Sequence, residues 1–554
     1  MFWGENENLN VLIYNILEAR KLKLINTKKK MKPFYVLLSM VFLIQLNTLA
    51  QPKKNLLFII TDQQRYDALS IAGNTVLETP NLDRLGRQGA YFENAYSACA
   101  VCAPARSSIL TGYTVENTGM RRNDRAYFYN EEVVMTMPTF DEILNEKGYQ
   151  CEYYGKWHSQ TSHTRVYQNP KQTSEKGHSV FAHGGQKFVH LDYLDEHVPV
   201  RQLKPGELYD KMTRRPYKTD PLDKHHGMTD AELKASKEKF PQCDMHGALQ
   251  IPNEHTLTAF QAKETIEAIE RLKDQTFSIT CSFHFPHAPM LPPDPYYSMY
   301  PAEYMAAPVS MTDDMINSPY ARANGRSGLP EYADPELIKY MVSNYYGLVK
   351  EIDDWVGKIL EKLDELELTD HTLVIFTSDH GEMLGAHGLR EKNVFYEESA
   401  HIPLLIRFPG EIENNTRVEG YVSHVDLFAT IMDYLNIGEY PSDGENLRGL
   451  IEGTDNKHGE YVVTEWNYRG DVAPNYLIVK GGWKLMIPYS KSSDVINAMY
   501  NLNKDPYEMN NLLCKNPEKE LYGDKAEELR RCLLEWLKKN GSKHYQGVKE
   551  RELI

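Results

Sequence analysis

The stretch "NLLFIITD", residues 55–62, is an almost unbroken apolar run closed by an acid. A strand wet on one face alternates apolar and polar residues, whereas a continuous run suits a central strand covered on both faces. "TLVIFTSD" (372–379) repeats the pattern, and "FSITCSFHFP" (277–286) and "IPLLIRFP" (402–409) are alike. Between them lie helical patterns, "TAFQAKETIEAIERL" (258–272) and "YYGLVKEIDDWVGKILEKLDEL" (345–366). In the second, Leu348, Ile352, Trp355, Val356, Ile359, Leu360 and Leu363 fall on one face at helical spacing. Strands alternating with helices predict an α/β fold, a large and mostly parallel sheet between helices. Ligands in such sheets gather beyond the carboxyl ends of strands. Asp62 and Asp379 each close a strand there, so two acids distant in sequence are expected to meet.

The flanks read differently. Residues 160–250 are polar, rich in Lys, His, Tyr and Pro, and read as a long insertion near the mouth of the site. After about residue 440, "YVVTEWNY", "NYLIVKGGWKLMIPY" and "AMYNLNKDPYEMNNL" read as strands with turns. A closing helix follows, with Leu529, Cys532, Leu533, Trp536 and Leu537 on one face. The expected organisation is an N-terminal extension with a signal peptide (1–50), a catalytic α/β domain (51–440), and a smaller C-terminal antiparallel sheet with its helix (441–554). The signal is "KKKMKPFYVLLSMVFLIQLNTLAQ": lysines from Lys28 to Lys32, an apolar run from Phe34 to Leu46, and the small-residue triplet Thr48-Leu49-Ala50. The run is shorter than the roughly 20 residues of a membrane-spanning helix. Export to a bacterial periplasm without stable membrane insertion is therefore expected, with Met31 as the expected true start.

With 41% apolar and 25% charged residues the composition is that of an ordinary globular protein. The net charge is −15, and residues 1–50 hold three Glu against seven Lys or Arg, so the remainder is more acidic still. Such a surface excludes nucleic-acid binding by bulk electrostatics and requires a local cationic pocket for any anionic substrate. Seven cysteines fit neither a disulfide scaffold nor a zinc ribbon. Cys99-Ala-Val-Cys102 has the C-x-x-C spacing, but no second pair accompanies it for zinc, and a redox role stays open. Buried thiols are expected for Cys151 and Cys281, which lie in strand-like runs.

Cys102 opens "CAPARSSILTG", in which Cys102, Pro104, Arg106 and Thr111-Gly112 form C-x-P-x-R followed by T-G. That segment resembles the signature of the formylglycine-dependent (type I) sulfatases of the alkaline phosphatase superfamily. The likeness continues in order through "TDQQRYDAL", "TPNLDRLGRQGAYFENAY", "GYQCEYYGKWH", "FHFPHAPM", "DDWVGKILEKLDELELTDHTLVIFTSDHGEMLGAHG", "YEESAHIPLLIRFPG" and "YNLNKDPYEMNNL", from about residue 55 to 515. The resemblance is to bacterial polysaccharide sulfatases. It implies that Cys102 is converted to formylglycine (3-oxoalanine) by a formylglycine-generating or anaerobic sulfatase-maturating enzyme, which reads the segment before folding. Pro104 then helps keep that segment extended, and a helix is expected to start in "SSILTG", offering its N–H groups to an anion.

In the family the aldehyde hydrates to a geminal diol, one hydroxyl attacks sulfur, and the second expels sulfate, which a serine ester could not do. The resemblance assigns the metal to Asp62, Gln63, the modified Cys102, Asp379 and His380. Calcium is the expected ion, although Gln63 and His380 stand where Asp and Asn are commoner. It assigns Lys156 and Lys392 to sulfate binding and Arg106 to support of the diol. His158 becomes the base, and His287 the group at the bridging oxygen. His387 and His401 are expected to pack or hydrogen-bond nearby. Arg214, Arg215, His225 and His226 are candidates for a second anionic group, and Trp466 and Tyr468 for stacking on a sugar. The implied activity is hydrolysis of a sulfate ester on an oligo- or polysaccharide, algal (such as ulvan) or glycosaminoglycan. A phosphodiesterase or phosphonate monoester hydrolase on the same scaffold, and a non-catalytic glycan-binding relic, are the alternatives.

Overall fold

A computed structural model describes residues 54–553 apart from 124–135, 160–184, 211, 230, 233–244, 321–333, 456–457 and 467–472. The signal-peptide reading at 31–50 and Tyr468 lie outside the described residues. No described helix is long and apolar enough to cross a membrane.

Among the described residues fourteen strands form three sheets. The large one holds β1 (Asn55–Asp62), β2 (Ala90–Tyr96), β3 (Gln150–Gly155), β7 (Phe277–Pro286), β8 (Thr372–Ser378), β9 (Leu404–Arg407) and β10 (Thr416–Ser423). Its order is β10-β2-β9-β8-β1-β7-β3. All pairings are parallel except those of β9, which runs antiparallel to both β2 and β8. The apolar runs are buried along their whole length, β1 and β7 completely. One face packs on the helices Leu257–Leu272 and Pro335–Glu365, with Phe260, Ile269, Tyr345, Leu348, Ile352 and Ile359 in that core. The other packs on Phe140–Glu146 and Asp426–Tyr434. Each large apolar side chain taken out of water here contributes roughly 1.5–3 kcal/mol.

Within the polar stretch 160–250, β4 (Glu207–Tyr209), β5 (Pro216–Thr219) and β6 (Gly247–Leu249) form a small antiparallel sheet. It has its own apolar cluster of Leu194, Leu208, Tyr217, Met245 and Leu249. Asp220 ties it to the main body, accepting from Asn344 Nδ2 and Tyr297 Oη, both at 2.7 Å. The last sheet, β11 (Tyr461–Glu465), β12 (Tyr476–Lys480), β13 (Trp483–Ile487) and β14 (Ala498–Asn501), is an antiparallel meander. The Gly523–Lys539 helix covers it through Ala526, Leu529, Leu533 and Leu537.

One expectation needs correction. The helix beside the motif starts at Cys102 itself and runs Cys102–Thr111. Pro104 lies in its first turn, where backbone N–H groups have no intrahelical acceptor, so a missing one costs nothing. Folded, the motif is helical and wholly buried.

Candidate active site

Strands β1 and β8 run side by side with Thr61 opposite Ser378, so the residues that follow, Asp62 and Asp379, emerge together at the carboxyl edge. The Asp379 N–H donates to the Thr61 carbonyl at 3.2 Å. Gln63 turns the chain with φ 72°. Its N–H donates to Asp379 Oδ1 at 3.1 Å, and its carbonyl accepts from Tyr345 Oη at 2.8 Å. Cys102 begins its helix with Sγ 3.0 Å from His380 Nε2 and 3.8 Å from Asp62 Oδ1. His380 Nδ1 donates to the Gly381 carbonyl at 2.9 Å, which aims Nε2 inward.

Asp62, Cys102, Asp379 and His380 are all buried, with potential ligand atoms within 4.8 Å of one another. Burial alone would raise the Asp62 carboxyl, but Lys156, Arg106 and Lys392 hold it well below the usual carboxylate range. Two ionised carboxylates, an imidazole nitrogen and the neighbouring Gln63 oxygen fit a divalent cation.

Three cations surround this group. Arg106 donates from Nε to Asp379 Oδ2 at 2.7 Å and from Nη1 to the Lys156 carbonyl and Ser282 Oγ, each at 2.8 Å. Its buried Nη2 has no hydrogen-bond partner among the described residues. Lys156 Nζ donates to Asp62 Oδ2. Lys392 Nζ donates to Gln63 Oε1 at 2.5 Å and to His287 Nε2 at 2.9 Å. A lysine only donates, so His287 carries its proton on Nδ1, which donates to the Ala288 carbonyl at 2.8 Å. Burial, then Lys392 and Lys156, hold the His287 imidazole well below its ordinary range. Burial, then Lys156 and Arg106, do the same to His158. Burial opposes ionisation of the Cys102 thiol, but Lys156 and Lys392 draw it below the usual thiol range.

The structure thus gathers Asp62, Gln63, Cys102, Arg106, Lys156, His158, His287, Asp379, His380 and Lys392 at one sheet edge. The other expected residues are engaged with partners of their own. His387 donates from Nδ1 to Asp313 at 2.7 Å and stacks on Tyr396. His401 bonds Glu397 at 3.0 Å and stacks on Tyr66 and Tyr96. Arg215 is buried against Asp195 and the Val198 carbonyl, and His225 against Asp223. Trp466 packs on the Cys99, Val101 and Val115 cluster.

Sequence reading missed the groups behind the site. Ser97 Oγ donates to the Asp379 carbonyl at 2.6 Å. His424 bridges the Ser378 carbonyl at 2.9 Å and the Ala98 N–H at 3.3 Å, and burial holds it down at about 4. Glu382 accepts from Gln63 Nε2. Only Glu382, two residues past His380, carried a signal in its position.

The family model described as Sulfatase matches residues 54–437, and that of the N-sulphoglucosamine sulphohydrolase C-terminal region matches 385–535. A ulvan-active sulfatase from Formosa agariphila is 29% identical over 84% of this chain and 78% of its own. An N-acetylglucosamine-6-O-sulfatase from Bacteroides thetaiotaomicron is 26% identical over 91% of each. Among solved structures, a phosphonate monoester hydrolase from Silicibacter pomeroyi shares the fold with a TM-score of 0.68 at 22% identity, over 88% of this chain and 96% of its own.

Proposed function

The chain belongs to the sulfatase family of sulfuric ester hydrolases, and we propose that it removes sulfate from a sulfated oligo- or polysaccharide in the bacterial periplasm, after conversion of Cys102 to formylglycine. The observation that carries this reading is the convergence of Lys156, Lys392 and Arg106 around the buried group of Asp62, Cys102, Asp379 and His380, with His158 and His287 kept neutral beside those cations. The carbohydrate class is supported by relatives named for ulvan and for N-acetylglucosamine 6-sulfate. Export is supported by the lysine-led apolar segment before Ala50.

Lys156, Lys392 and the spare Arg106 Nη2 bind and orient the sulfate by charge-assisted hydrogen bonds, which is how a chain of net charge −15 takes an anion. When present, the hydrated aldehyde at position 102 supplies an oxygen nucleophile and a second hydroxyl through which sulfate leaves. Asp62, Gln63, Asp379 and His380, with the modified Cys102, would hold Ca2+, which would polarise the sulfate oxygens. His158, kept neutral, accepts a proton as general base. Lys392 Nζ donates to His287 Nε2 at 2.9 Å, and the Lys392 ammonium is the member of this pair that holds the proton the leaving oxygen takes, which leaves the pair neutral until solvent reprotonates it.

The test is co-expression with a maturation enzyme, peptide mass spectrometry at position 102, and sulfate release from a panel of sulfated oligosaccharides. Formylglycine at 102, release abolished by Cys102→Ala, and preference over a phosphodiester are expected. An unmodified thiol in active protein, activity retained in Cys102→Ala, or a strong preference for the phosphodiester overturns the reading.

A further inference from the structure

Gln63 has only one way to present its side chain. Nε2 donates to the Glu382 carboxylate, and Oε1 accepts from Lys392 at 2.5 Å. An ionised carboxylate only accepts and an ammonium only donates. Turning the amide over would set its N–H group against Lys392 and its oxygen against Glu382. Glu382 is itself pinned, since its Oε1 accepts from the Leu384 N–H at 2.9 Å and the Glu391 N–H at 2.5 Å. Its backbone N–H donates to the Glu398 carbonyl at 2.8 Å, and the side chain is buried.

We propose that Glu382 is the positioning residue of the metal site: it fixes Gln63 so that Oε1 is the atom offered to a divalent cation, and it restores one layer out the negative charge that a glutamine ligand lacks. Outer carboxylates of this kind orient first-layer ligands and raise their affinity for the ion. The inference rests on the cation reading of the site, and not on which ester is cleaved.

Full-length protein stripped with chelator and titrated calorimetrically with CaCl2 and MnCl2 tests it. Glu382→Gln places an amide N–H against the Gln63 amide, frees that side chain to turn over, and should weaken binding about 10–100-fold. The exchange variant Gln63→Glu/Glu382→Gln reverses donor and acceptor while keeping the net charge, and should recover affinity to within a few fold of the parent. Thermal unfolding in EDTA should be the same for parent and Glu382→Gln, which a merely structural role would not allow. Binding by Glu382→Gln within about twofold of the parent overturns the proposal, and so does a folded exchange variant that stays weak. If Glu382→Gln fails to fold, the exchange variant decides alone. A parent that binds neither ion overturns the cation reading and this proposal together. Intact ion binding without sulfate release touches only the function.

Discussion

At position 155 the protein needs the absence of a side chain. Gly155 ends β3 with φ 107°, and a Cβ there would sit 1.8 Å from the Ser282 carbonyl oxygen. That close approach lets the Lys156 N–H bond the same carbonyl at 3.0 Å and sends its ammonium to Asp62. Gly155→Ala should therefore cost about 1–3 kcal/mol in urea unfolding and displace Lys156, with sulfate release falling at least about tenfold. The pH profile is set at this scale too. Burial and the neighbouring cations hold His158 below its ordinary 6.5, so it stays neutral as pH falls through that value. The acid limb of kcat/KM should lie well below pH 6.5, and a limb centred at or above it would contradict the assignment. Asp62 and Asp379 were legible from sequence because each closes an apolar strand. Ser97 and His424 were not, because each matters through a backbone group that only the folded chain brings beside it, and Glu382 had a telling position but a partner amide that only the fold supplies.

The strands and helices themselves were readable, since unbroken apolar runs and helical spacing report burial directly. Direction was not readable: β9 lies in an apolar run as β1 and β8 do, yet it is antiparallel to both strands that flank it, and nothing in an apolar run encodes polarity. The helix start at Cys102 was missed because Pro104 reads as a breaker, whereas a first turn tolerates it. The Pro335–Glu365 helix carries a testable cost. Its Glu351 is buried and accepts from Thr256 Oγ1, the cap of the Leu257–Leu272 helix, and burial pushes its carboxyl up to about 8 from 4.5. The folded state therefore binds this proton more tightly than the unfolded chain. Stability contributed below pH 4.5 is lost progressively as pH rises to about 8, by on the order of a few kcal/mol. Glu351→Gln should flatten that part of the stability curve in denaturant titrations at pH 5 and pH 8. An unchanged slope would place the charge elsewhere.

Across the whole molecule, the C-terminal sheet is tied to the segment behind the site through one buried lysine. Lys484 on β13 lies 2.8 Å from both Glu397 and Glu508. Burial opposes the charge on Glu397, but Lys484 and His401 hold that carboxyl low, while burial pushes Glu508 up to about 8. Lys484→Met leaves two carboxyls facing each other in the interior and should cost about 3–5 kcal/mol by chemical denaturation. A loss under about 1 kcal/mol would show that the pair is solvated. Glu397 opens the Glu397–Ala400 turn, and the Glu398 and Ser399 carbonyls of that turn accept from the Glu382 and Gly381 N–H groups beside His380. Pruning the gene to a minimal enzyme ending near residue 440 would thus remove the counter-charge beneath the catalytic floor. Recombination between relatives must carry both halves as one cassette, because a seam drawn between them severs wiring that leads to the reacting atoms.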